Sequence, residues 1–184
     1  MKDGSSRAMD EFLASVERRA FRIAQMAVGS PEDALDLVQD AMFGLVRRYA
    51  AKPPSEWKPL FYRILISRIR DWYRRRSVRD RWRTWLRNIS FDGSADQPDP
   101  VETLPAPADR NPDSQAMIGD AMTALDKAVQ ALPIRQQQAF LLRAWEGCSV
   151  RETAAAMNCS TGSVKTHYSR AIHTLRDKLG EHWP

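Results

Sequence analysis

Between Asn88 and Asp126 the chain carries eight acidic side chains against one basic, together with Pro98, Pro100, Pro105, Pro107 and Pro112. Proline lacks a backbone N–H and has a fixed φ, so it breaks helix interiors and is kept out of central strands. With Gly93, Ser94 and Asp96 upstream and few large apolar side chains, this stretch reads as an extended linker, assigned to residues 91–114. It divides the 184 residues into segments 1–90 and 115–184, each small but able to close around a compact helical core. Two domains are expected.

Both segments are patterned for helices, and no strand-like alternation appears, so the fold class is all-α. From Met9 to Val28, Phe12, Leu13, Val16, Ala20, Ile23, Ala24 and Ala27 line one face, leaving Arg18, Arg19 and Arg22 to face outward. Ser30 can cap a second helix with Pro31 at its first position and Glu32 and Asp33 in its first turn, where negative charge suits the dipole. Its stripe is Ala34, Val38, Ala41, Leu45 and Tyr49. After Lys52-Pro53-Pro54, a third helix begins near Ser55 and runs through Phe61, Ile64, Leu65, Ile69 and Trp72.

Beyond the linker, Ile118, Ala121, Leu125, Val129 and Leu132 trace a helix that Pro133 ends, and another covers roughly Arg135 to Glu146 before Gly147. Ser149-Val150-Arg151-Glu152 is a capping box, starting a short helix that ends near Met157. After the tight Asn158-Cys159 connection, Ser160 can cap a last helix with an inner face of Val164, Tyr168, Ala171, Ile172, Leu175 and Leu179. This is the layout of a helix-turn-helix, whose second helix enters the DNA major groove. Lys165, Thr166, Ser169 and Arg170 point away from the core stripe.

Charge supports a polyanionic partner. The segments 1–56, 57–87, 88–126 and 127–184 carry net charges of −1, +9, −7 and +4, an asymmetry that the total of +5 conceals. Within the +9 block, Arg68, Arg70, Arg74, Arg75 and Arg76 are interleaved with Trp72, Tyr73, Trp82 and Trp85. Cationic groups that hold a backbone beside aromatic surfaces that take unpaired bases suit a single nucleic-acid strand. Trp72 fits a packed core equally well. Val78, Trp82, Trp85, Leu86 and Ile89 form an apolar stripe that favours packing over base stacking.

Other chemistries are poorly served. The longest stretch free of charge runs only from Thr153 to Val164, so no segment spans a bilayer. The N-terminus mixes Lys2, Asp3, Arg7, Asp10 and Glu11, unlike a secretion signal, and a cytoplasmic protein with Cys148 and Cys159 reduced is expected. Those cysteines are too widely spaced from His167 and His173 for a zinc site. Asp33, Asp36 and Asp40 share a helix face, but no second carboxylate cluster accompanies them as a two-metal nuclease would need. No cofactor pattern or catalytic motif is found.

Asp33-Ala34-Leu35-Asp36-Leu37-Val38-Gln39-Asp40 resembles the polymerase-docking helix of bacterial sigma factors in the extracytoplasmic-function (ECF) branch of the sigma-70 family. Phe61-Tyr62-Arg63-Ile64-Leu65 and Arg70-Asp71-Trp72-Tyr73-Arg74-Arg75-Arg76 resemble that family's promoter-melting and minus-ten helix. Leu132-Pro133, Cys148 to Ala154 and Gly162 to Thr166 are similar to its minus-thirty-five helix-turn-helix. The likeness covers roughly residues 10–76 and 117–179. It implies two helical domains, regions two and four, and a non-enzymatic subunit that brings bacterial core RNA polymerase to promoter DNA, with an anti-sigma factor as a further partner.

Carried over residue by residue, the resemblance implies polymerase contacts from Asp36, Gln39 and Asp40. It implies minus-ten contacts from Arg63, Arg70, Trp72, Tyr73, Arg74 and Arg75, a flipped base held by the Ala50 to Lys58 loop, and minus-thirty-five contacts from Lys165, Thr166, Ser169 and Arg170. The alternative is a stand-alone helix-turn-helix regulator that works without polymerase.

Overall fold

In the computed structural model, the backbone is described for residues 2–88 and 118–180, and side chains within 6–78 and 122–180. The expected linker, 91–114, lies outside these residues. Helices α1 (Lys2–Val28), α2 (Pro31–Tyr49) and α3 (Pro54–Asn88) form the N-terminal half. The C-terminal half contains α4 (Ile118–Gln130), α5 (Ile134–Phe140), α6 (Val150–Met157) and α7 (Thr161–Leu179). Among the described residues there is no strand.

The apolar stripes close the core. Ala20, Ile23, Ala24 and Ala27 of α1 meet Ala34, Val38, Ala41 and Leu45 of α2 and Phe61, Leu65 and Ile69 of α3, all buried. Ser30 caps α2 by accepting from the Asp33 backbone N–H at 3.2 Å. Trp57, 1% exposed, packs its ring 5.8 Å from that of Phe12 and donates its indole N–H to the Tyr49 carbonyl at 3.2 Å. That bond ties the start of α3 to the end of α2, so the chain turns within a few residues. The loop expected from Ala50 to Lys58 is correspondingly shorter, because α3 already begins at Pro54. Helix α3 then runs unbroken to Asn88; Val78 of the expected packing stripe is exposed, and the later members lie outside the described side chains.

In the C-terminal half, Val129, Leu132, Leu141, Leu142, Val164, Ala171 and Leu175 are buried together. The helix expected over Arg135 to Glu146 is not uniform. Past Phe140 it widens into a π-helical turn, Leu141–Trp145, in which the Glu146 N–H reaches back to the Leu141 carbonyl at 3.0 Å. Ser149 and Glu152 form the expected capping box: Ser149 Oγ accepts from Glu152 N at 3.2 Å, and Glu152 Oε2 accepts from Ser149 N at 2.7 Å.

These bonds to Ser149 hold the Glu152 carboxyl below its ordinary pKa. Its contribution to stability is therefore present above the ordinary carboxylate range and is lost as pH falls through the lowered value. Ser149→Ala should destabilise the C-terminal half by about 1 kcal/mol at neutral pH. Urea unfolding at pH 7 and at pH 3 checks this; the cap is irrelevant if the two proteins unfold together at pH 7.

The halves pack on each other, α3 against α6 and α1 against α4. Arg22, expected to face outward, turns instead toward α4 and grips Asp126 with one guanidinium nitrogen, at 2.9 and 3.1 Å from the two carboxylate oxygens. The same guanidinium lies 5.8 Å over the Trp145 ring.

Candidate nucleic-acid interface

Helix α7 is aimed by its turn. Asn158 adopts a left-handed conformation at φ 52°, which asparagine tolerates better than most residues, and Arg135 donates to the Met157 carbonyl at 2.8 Å. Ser160 Oγ then accepts from Ser163 N at 3.0 Å and starts α7. Val164, Ala171 and Leu175 are buried on the inner side, whereas Lys165, Thr166, Ser169 and Arg170 are all exposed on the outer one. Thr166 donates its hydroxyl hydrogen to the Gly162 carbonyl at 3.1 Å, which leaves its methyl group and an acceptor oxygen for a ligand. The four residues belong to the first half of α7, the part of a recognition helix that meets base edges.

In the N-terminal half, Asp36, Gln39 and Asp40 are exposed on one face of α2. They border a cleft of about 400 Å³ whose walls also include Phe43, Trp72 and Arg75. A second cleft, about 350 Å³, lies between α2 and α3 and is lined by Arg48, Tyr49, Arg63, Ser67 and Arg68 among others. Asp40 connects the two surfaces: its Oδ2 is 3.9 Å from Arg68 Nε.

The expected minus-ten residues therefore do not form one patch. Arg63 borders the second cleft, Arg75 the first, and Arg74 is exposed but bonded to Asp71 at 2.6 Å. Arg70 is half-buried. The two aromatics turn inward, each 7% exposed. Tyr73 donates its hydroxyl to the Ala27 carbonyl, and burial pushes its pKa up to about 12. Trp72 packs edge-on against Tyr73 at 5.1 Å, with the Arg76 guanidinium 5.0 Å over its ring. The physical reason is register: both continue the stripe Phe61, Leu65, Ile69 at intervals of three and four, so the helix that exposes the arginines buries the aromatics.

Two residues were not singled out from the sequence. Phe43 is 71% exposed, one turn beyond Gln39 and Asp40 on the docking face. Its signal was a large apolar side chain lying off the buried stripe of α2. Arg48 carried no such signal; only the proximity of α3 gives it Arg63 and Arg68 as neighbours. Among the described residues, no three His, Cys, Asp or Glu side chains converge for a metal. Burial raises the Cys148 thiol to about 11, so it is a poor nucleophile.

Residues 12–79 match the family description "Sigma-70 region 2", and residues 122–175 match "Sigma-70, region 4". The chain belongs to the sigma-70 family. This sigma factor is 30% identical over 183 residues to the RNA polymerase sigma-E factor of Streptomyces avermitilis, across 97% of this chain and 89% of that one. It is 37% identical over 82 residues to the ECF RNA polymerase sigma factor SigD of Mycobacterium tuberculosis, an alignment that takes in 44% of this chain and only 39% of SigD. The ECF branch is thereby indicated on both sides of the linker. Among solved structures, the sigma factor RpoE of Bartonella quintana, crystallised with the anti-sigma factor NepR, has the same fold, with a TM-score of 0.62 at 21% identity over 92% of this chain and 95% of that one.

Proposed function

We propose that this sigma factor directs bacterial core RNA polymerase to specific promoters and helps open them, in the cytoplasm and as a binding subunit rather than an enzyme. The observation that carries this reading is the pairing, in one chain, of a recognition helix with four exposed polar side chains and a second helical half that presents an acidic, aromatic-tipped face beside arginine-lined clefts. In this account residues 1–90 hold polymerase and the minus-ten strand, and residues 115–184 read the minus-thirty-five duplex.

Asp36, Gln39, Asp40 and Phe43 dock on polymerase, the carboxylates providing charge complementarity and Phe43 a central apolar anchor. Arg48, Arg63 and Arg68 form the cationic wall along which the unwound strand lies, and Arg74 and Arg75 extend it. Trp72 and Tyr73 support that wall from beneath. Lys165, Thr166, Ser169 and Arg170 read base edges and phosphates in the major groove. The anti-sigma factor bound to RpoE in its co-crystals supports an inhibitor of that kind as a third partner.

The test is run-off transcription by bacterial core polymerase on fragmented DNA from the source genome, with and without the protein. Discrete transcripts that need the protein are expected. No transcripts and no co-elution with core polymerase would leave a stand-alone regulator in its place. Phe43→Asp, at an exposed position that leaves the core untouched, should weaken co-elution roughly 30-fold, the scale of a lost interface anchor of about 2 kcal/mol. Unchanged co-elution would remove Phe43 from the docking face.

A further inference from the structure

The interface between the two halves is built from polar groups. Lys58 of α3 reaches across to Glu146 at 2.9 Å, and the Glu146 side chain is only 2% exposed. Arg22 grips Asp126, and the amide nitrogen of Gln137, fully buried in α5, lies 3.1 Å from the Tyr73 hydroxyl. Satisfaction is incomplete: Tyr62 Oη, Gln137 Oε1 and Glu146 Oε2 are buried without a hydrogen-bond partner. Unpaired buried polar atoms carry a desolvation penalty that opening to water relieves. The π-helical turn Leu141–Trp145 sits at this seam, bringing Trp145 to Arg22 and leading directly into Glu146. Such an interface is specific in register and easily separated.

Separation is required if the proposed function holds, and the inference rests on that reading. Two DNA elements centred about 25 base pairs apart lie ~85 Å apart at ~3.4 Å per pair. A compact chain of this length has a radius of gyration of about 16 Å, so the halves cannot touch each other and both elements at once. We propose that the contact between the halves is a clasp, pinned by Lys58–Glu146 and Arg22–Asp126, that holds the free protein closed and must open when polymerase and promoter are engaged. In the closed state the α7 face and the α2 docking face both remain exposed. The clasp therefore limits the distance between the two sites without covering either. It also occupies Lys58, at the edge of the segment expected to hold a flipped base.

Charge exchange in the full chain tests this. Glu146→Lys sets two ammonium groups against each other across the seam, and Lys58→Glu added to it restores an opposite pair. By small-angle X-ray scattering, the wild type should be compact, Glu146→Lys should raise the radius of gyration by at least about 5 Å, as expected for a chain leaving the compact regime, and the double exchange should reverse the change. Arg22→Asp with Asp126→Arg repeats the cycle at the second pin, so misfolding of one variant does not decide the matter, and circular dichroism monitors helix content.

Opening also removes the fraction of molecules unable to bind, so Glu146→Lys should tighten holoenzyme binding to promoter DNA about tenfold. A structural residue without this role would give no gain. Unchanged scattering in both single exchanges, or no reversal in either double exchange, overturns the clasp. Opening without tighter binding overturns its regulatory role. A wild type that fails to bind polymerase overturns the functional reading and that role together, while the clasp still stands or falls on scattering.

Discussion

Trp57→Ala is expected to destabilise the N-terminal half by about 3–5 kcal/mol, the range for removing a large aromatic from a packed core. The ring is 1% exposed, faces Phe12 at 5.8 Å, and uses its one polar atom to hold the Tyr49 carbonyl. Alanine removes the packing and leaves that carbonyl, at the end of α2, without its side-chain donor. Small domains commonly hold only 5–15 kcal/mol in total, so the variant should be partly unfolded at growth temperature. Trp57→Phe retains much of the packing and loses the hydrogen bond, and should fall between the two. Urea unfolding followed by far-ultraviolet circular dichroism measures both. A midpoint for Trp57→Ala within experimental error of the wild type would show that the start of α3 is not fixed by this side chain.

Trp57 was not among the residues the sequence marked as core, although its neighbours were, and the difference shows what periodicity can reveal. The stripes of α1, α2 and α7 were legible because each alternates small or branched apolar residues with charge at helical spacing, so Ala20, Ile23, Leu45, Val164 and Leu175 are buried as expected. The capping box was legible because both partners lie within four residues. Three features were not. The π-helical turn after Phe140 hides inside a continuous apolar run, since widening one turn changes hydrogen bonds and leaves the residue types unaltered. Arg22 read as a solvated cation because its partner, Asp126, is 104 residues away.

Tyr73 was read as a strand contact because it sits among arginines. Its place in the stripe is evident only once α3 is known to run straight past it and to present Tyr73 to Ala27 and Gln137. Local pattern therefore fixed the helices, and long-range pairing decided which polar and aromatic side chains remained available for a partner. For the candidate site this divides the expectations by location. The four residues of α7 and the three of α2 lie where local phase put them, exposed. The minus-ten group, on the helix that contacts both α2 and α6, was redistributed.

The recognition helix is where function should respond most to small changes. Lys165→Ala and Arg170→Ala each remove a long cationic side chain from an exposed face, with no hydrogen bond or ion pair to the described residues, so neither should alter stability beyond about 0.5 kcal/mol. A base-edge contact from Arg or Lys discriminates by about 1–3 kcal/mol. The double variant should therefore lose roughly 30-fold or more in promoter-specific binding and initiation, while co-elution with core polymerase, which uses α2, is retained. Salt dependence separates the two kinds of contact. A side chain that touches only phosphate should lower the slope of log K against log salt by about 0.9 when removed, and should weaken all sequences alike. A side chain that reads a base should change the preference among promoter variants at one position. If the double variant initiates as well as the wild type, α7 is not the reading element; if it loses polymerase binding together with initiation, the division of labour between the two halves fails.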